Sequence, residues 1–71
     1  MMLSGYENKL FRLTPELVQS RYALLPYGNT IFVINFIKQL AHNIYYIRIN
    51  SLDNKIELEL AHISELQEVV G

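Results

Sequence analysis

Two short segments, Ile44-Tyr-Tyr-Ile-Arg-Ile49 and Ile56-Glu-Leu-Glu-Leu60, alternate apolar and polar residues on either side of Asn50-Ser-Leu-Asp-Asn-Lys55. Alternation with a period of two belongs to a half-buried strand. The spacer is rich in Asp and Asn, which tolerate positive φ and favour reversals. A two-residue turn at Asp53-Asn54 predicts that Ile49 faces Leu58, Ile47 faces Leu60 and Arg48 faces Glu59. One face of the ribbon is then aliphatic and the other carries complementary charge, as a half-buried antiparallel pair requires. A slip of one residue would set Arg48 against an aliphatic side chain, so the pattern specifies its own register.

With 71 residues the chain makes one small domain, 1–71, whose core must be found in few side chains. Hydrophobic residues are 51% of the sequence, a surplus that goes into a dense core, a protein partner or a homo-oligomer. A partner interface is the favoured destination, because so small a domain has little interior. Cysteine is absent, which excludes disulfides, thiolate metal sites and cysteine nucleophiles and favours a reducing compartment. No basic segment precedes an apolar one at the start, and the most apolar stretch, Tyr22 to Ile37, is interrupted by Pro26, Gly28, Asn29 and Asn35. It falls short of the ~20 apolar residues of a membrane-spanning helix. The expectation is a soluble, cytoplasmic protein with no membrane span.

The net charge of −1 conceals an asymmetry. Through Asn50 there are five bases (Lys9, Arg12, Arg21, Lys38, Arg48) and two acids (Glu7, Glu16), giving +3. From Ser51 onward one base (Lys55) meets five acids (Asp53, Glu57, Glu59, Glu65, Glu68), giving −4. Such polarity steers partners or supports head-to-tail association, or it marks only solvated faces.

Along the chain, residues 1–8 read as a loose lead-in broken at Ser4-Gly5, and Lys9 to Leu13 as a short strand. Thr14-Pro15-Glu16 is a helix start: an N-cap, a proline at the first position and an acid in the first turn. Leu17, Val18, Tyr22 and Leu25 recur at near-helical spacing, which predicts an amphipathic helix over Pro15–Leu24 ended by Pro26. Pro26-Tyr-Gly-Asn29 reads as an exposed turn. Thr30 to Ile37 is rich in β-branched and aromatic residues, favouring a strand apolar on both faces, with Lys38 to Asn43 as a loop or one helical turn. A helix capped by Asn29 and running to His42 is the alternative. The tail, His62 to Val70, reads as a short helical turn leading into a last strand, or as one C-terminal helix. The predicted class is therefore α+β but β-rich, with a short N-terminal helix. Its core, 30–70, is a small antiparallel sheet or SH3-like barrel of four to five strands.

Chemistry is sparsely represented. In the predicted register His62 lies opposite Tyr45, one strand-length from the loop that holds His42 and with Glu57 or Glu59 nearby, but no ligand pair has a recognised metal spacing. Glu57 and Glu59 lie on the polar face of a strand, where Arg48 neutralises Glu59, so they are surface carboxylates rather than an acid/base pair. The serines have no His and acid beside them, and three glycines form no phosphate loop. The reading is a non-catalytic protein with no cofactor and no metal. Five tyrosines offer stacking platforms for single-stranded nucleic acid, but six scattered bases supply no groove for phosphates, so nucleic acid is the lesser alternative. Tyrosine also provides rigid contact area with a polar tip, which suits protein interfaces. Tyr46 on the polar face beside Arg48 and Glu59, and Tyr27 in the exposed turn, are the candidate protein-contact residues. The equal alternative is that two or three of the five tyrosines cover core edges.

Leu25-Pro-Tyr27, followed after an intervening stretch by Ile44-Tyr-Tyr-Ile-Arg-Ile49, resembles the CpcD-like domain of phycobilisome linker polypeptides. Leu10-Phe-Arg-Leu-Thr14 is similar to the opening strand of that family. Ala41-His-Asn43 stands where the family has a glycine pair. The resemblance implies a colourless linker docking against pigment-bearing subunits, again a protein-binding role.

Overall fold

The computed structural model describes residues 5, 6 and 8–70. Five antiparallel strands form one sheet: β1 (Phe11–Leu13), β2 (Phe32–Ala41), β3 (Ile44–Ser51), β4 (Glu57–Leu60) and β5 (Leu66–Glu68). Their order is β4-β3-β2-β1-β5. Between β1 and β2 lie a single-turn-and-a-half helix, α1 (Pro15–Ser20), and a 3-10 stretch, Tyr22–Tyr27.

The hairpin has the register expected of it: Ile47 pairs with Leu60, Arg48 with Glu59 and Ile49 with Leu58. Its turn is wider than two residues. The Asn54 amide donates to the Ser51 carbonyl at 2.9 Å, enclosing Leu52 and Asp53, and Asn54 itself adopts φ 62. Ser51 closes the loop against Ile56, giving its amide to the Ile56 carbonyl at 2.9 Å and accepting the Ile56 amide on Oγ at 3.1 Å. The Ser51 hydroxyl donates to Asp53 Oδ1 at 2.6 Å, and the Lys55 amide donates to the same oxygen at 3.1 Å. Widening the loop by one residue on each side leaves the register unchanged.

Residues 32–41 are strand throughout, so neither the helix alternative nor the loop over Lys38 to Asn43 forms; only His42-Asn43 turns, with Asn43 at φ 65. A β-bulge explains the ambiguous pattern. Ile34 pairs with Ile49 but Phe36 pairs with Arg48, which makes Asn35 the extra residue. The bulge lets Ile34 and Ile37 both face inward although their spacing is that of a helix. It also leaves Asn35 and Phe36 together on the outer face. A second irregularity, between Gln39 and Ala41, follows at Leu40.

The N-cap forms as predicted, Thr14 Oγ1 accepting the Leu17 amide at 3.3 Å. The helix is shorter than Pro15–Leu24, because Arg21 is extended (φ −135, ψ 108) and resets the helical phase. Consequently Leu17, Val18 and Leu24 are buried, whereas Tyr22 and Leu25, assigned to the apolar face, are exposed. Pro26 lies inside the 3-10 stretch rather than ending a helix. The tail follows the first of its two readings, a 3-10 turn (Ile63–Glu65) and then β5. Glu65 Oε1 accepts the amides of Ala61 and His62 at 3.1 and 3.0 Å, and Glu65 Oε2 lies 3.8 Å from Arg21.

Phe32, Leu13, Ile47 and Ile49 are the largest fully buried side chains, so the core sits where β1, β2 and β3 meet. Of the lead-in, residues 1–4 and 7 lie outside the described residues. Tyr6 packs on the core edge, its ring 6.4 Å from that of Phe11. No helix among the described residues is long and apolar enough to cross a membrane.

Candidate functional site

Alternation along β3 divides its residues into two sets. Ile47, Ile49 and Ser51 are buried, while Tyr46, Arg48 and Asn50 lie half-buried on the outer face. The bulge in β2 adds Phe36 and Asn35 beside them, and β4 adds Glu57 and Glu59. Three strands thus assemble one aromatic and charged strip, with Tyr46 at its centre.

Tyr46 is held from several sides. Its hydroxyl donates to Glu59 Oε2 at 2.8 Å and accepts from Arg48 Nη2 at 2.8 Å. The Arg48 guanidinium carbon lies 5.6 Å from the Tyr46 ring centroid, and the Phe36 ring meets Tyr46 edge-on at 5.7 Å. Asn35 Nδ2 donates to Asn50 Oδ1, tying the bulge to β3. The predicted Arg48–Glu59 pair is present in register, but its charges meet differently. Arg48 Nε reaches diagonally to Glu57 Oε2 at 3.4 Å, and Glu59 is joined to Arg48 through the Tyr46 hydroxyl. With 40% and 55% of the two side chains exposed, the Arg48–Glu57 ion pair by itself adds little stability. Its effect is to fix side-chain positions.

The Arg48 guanidinium is held above its ordinary value, first by the hydrogen bond to Tyr46 and by attraction to that residue. Partial desolvation opposes this, and the charges of Glu57 and Glu59 add to it. Arg48 therefore keeps its charge at every physiological pH. In the adjoining loop the Asp53 carboxyl is held below its ordinary value, first by the Ser51 hydroxyl and then by the Lys55 amide.

Of the four predicted contact residues the structure brings together Tyr46, Arg48 and Glu59. Tyr27 stands apart. Expected in an exposed turn, it ends the 3-10 stretch half-buried against the core edge, as do Tyr6 and Tyr45 elsewhere. Phe36, Asn35 and Asn50 were not singled out by sequence reasoning. The signal for them was Ile34 and Ile37 flanking an asparagine, a spacing that a strand satisfies only through a bulge.

Elsewhere the chemistry is quiet. His62 Nδ1 donates to the Asn43 carbonyl at 3.0 Å. Among the described residues no group of three or more His, Cys, Asp or Glu is arranged to hold a metal. Three of the bases are engaged by acids: Lys9 with Glu68 and Arg21 with Glu65, both at 3.8 Å, and Arg48 with Glu57. Comparison with family models, with curated proteins and with solved structures returned no match.

Proposed function

We propose that this chain is a small non-catalytic protein-interaction module, an accessory subunit, adaptor or inhibitor, that docks through the outer face of β2, β3 and β4. The observation carrying this reading is Tyr46, fixed by Phe36, Arg48 and Glu59 on an open sheet face. Tyrosine and arginine are the side chains most enriched where binding energy concentrates. Ordering them before contact lowers the entropy lost on association. The strand order, with a single 3-10 turn before β5, supports describing the module as a small SH3-like barrel.

The test is site-specific cross-linking in the source cells, with a photoreactive phenylalanine analogue at position 46 or, as a control, at position 55. The expected result is one discrete cross-linked species from position 46, absent from position 55 and lost when Arg48→Glu is added. Equal cross-linking from both positions, none from either, or indifference to Arg48→Glu contradicts the proposal.

A further inference from the structure

A second surface lies on the other side of the sheet order, where α1 and the 3-10 stretch pass beside β1 and β5. A groove of about 420 Å³ opens there. Its floor is formed by the buried Leu13 and Val18, and its accessible apolar surface comes from Pro15 and Leu25, the latter 53% exposed. Arg12 projects along it from β1, opposite Gln67 of β5, and Gln19 and Asn29 complete its polar rim.

Charge tells what fits this groove. Among the described residues no carboxylate lies within 4.0 Å of the Arg12 guanidinium, whereas Lys9, Arg21 and Arg48 each have one. The nearby acids of the tail are already engaged, Glu65 by Arg21 and Glu68 by Lys9. Among the described residues Lys38 and Lys55 also lack a carboxylate partner, but of these three bases Arg12 alone lines the groove, and a guanidinium in that setting selects a carboxylate. The amides of Gln19, Asn29 and Gln67 offer both donors and acceptors, which suits the N–H and C=O groups of an extended backbone.

We propose that the Arg12 groove binds an extended acidic segment of a protein partner, with apolar side chains over Pro15 and Leu25 and a carboxylate on Arg12. This goes beyond the reading of the Tyr46 strip, which lies on β2, β3 and β4, whereas the groove lies at β1, β5 and α1.

The probes are capped heptapeptides alternating leucine with glutamate or leucine with lysine, titrated into the isotope-labelled full chain and followed by amide NMR. The glutamate peptide is expected to shift Val18, Leu25, Asn29 and Gln67 saturably. Losing a charge-assisted hydrogen bond weakens binding by about tenfold or more, so Arg12→Gln should do so. Arg12→Glu should transfer preference to the lysine peptide. Tyr46→Ala should change nothing here, so failure of the strip and failure of the groove are distinguishable. Arg12 is exposed, and a dispersed spectrum confirms that its variants fold. Shifts absent from the wild type, equal for both peptides, or unaffected by Arg12→Gln overturn the proposal.

Discussion

An alanine scan along β3 should give a sawtooth of stability, because neighbouring residues face opposite environments. Ile47 and Ile49 are 0% exposed, so replacing either by alanine removes three buried carbons. At about 0.8 kcal/mol per carbon the transfer loss is about 2.4 kcal/mol. The cavity left between packed strands raises this to roughly 3–4 kcal/mol, within the range for such truncations. Tyr46→Ala and Arg48→Ala lose partly exposed pair contacts worth about 1 kcal/mol or less. In urea, with a slope of about 1 kcal/mol per molar for a small domain, the isoleucine variants should shift the midpoint by roughly 3 M. A chain of this length commands only about 4–10 kcal/mol in total, so either variant sits close to unfolding. Ile47→Val and Ile49→Val, at about 1 kcal/mol each, keep the comparison measurable. A loss for Tyr46→Ala or Arg48→Ala as large as that for Ile47→Ala, or one below about 1 kcal/mol for Ile49→Ala, would refute this division of faces.

Other consequences are simpler. Thr14→Ala removes the cap of α1 and should cost about 1 kcal/mol, lowering Tm by roughly 4–8 °C, while Thr14→Ser stays near the wild type by calorimetry. The stability Asp53 contributes is complete above the ordinary carboxylate range, near pH 4, and is lost as pH falls through its lowered folded value. A carboxyl NMR titration should show Asp53 returning toward its ordinary value in Ser51→Ala. Deleting Asn35 should convert the bulge into a regular ladder that still sends Ile34 and Ile37 inward. The cost should be that of the Asn35–Asn50 hydrogen bond, about 1 kcal/mol, and a loss above about 3 kcal/mol in chemical denaturation refutes this account of the bulge.

What was legible in the sequence was local and periodic. Ile47, Ile49, Leu58 and Leu60 announce a register because a slip exposes all four together, and Thr14-Pro15 announces a cap because its chemistry lies within one turn. Less legible were features in which tertiary geometry overrides spacing. Ile34 and Ile37 imitate a helix because a bulge changes the parity of β2. Tyr22 and Leu25 imitate a continued apolar face because nothing at Arg21 signals the break. Tyr46, Arg48 and Glu59 were placed correctly by alternation alone. Phe36 joined them only through the bulge, and Tyr27 turned to the core because its 3-10 stretch packs back on the sheet. The diagonal pairing of Arg48 with Glu57 lay beyond a reading that matched each residue only with the one directly opposite.

The ribbon is divided between an aliphatic face inside and the Tyr46 strip outside. Nuclear Overhauser contacts across β2, β3 and β4 test it most directly. Amide contact between Ile49 and Leu58, α-proton contact between Arg48 and Glu59, and ring contact between Phe36 and Tyr46 are the predicted set. Contacts displaced by one residue, pairing Arg48 with Leu58 or Leu60, would place the strip in the core and contradict it.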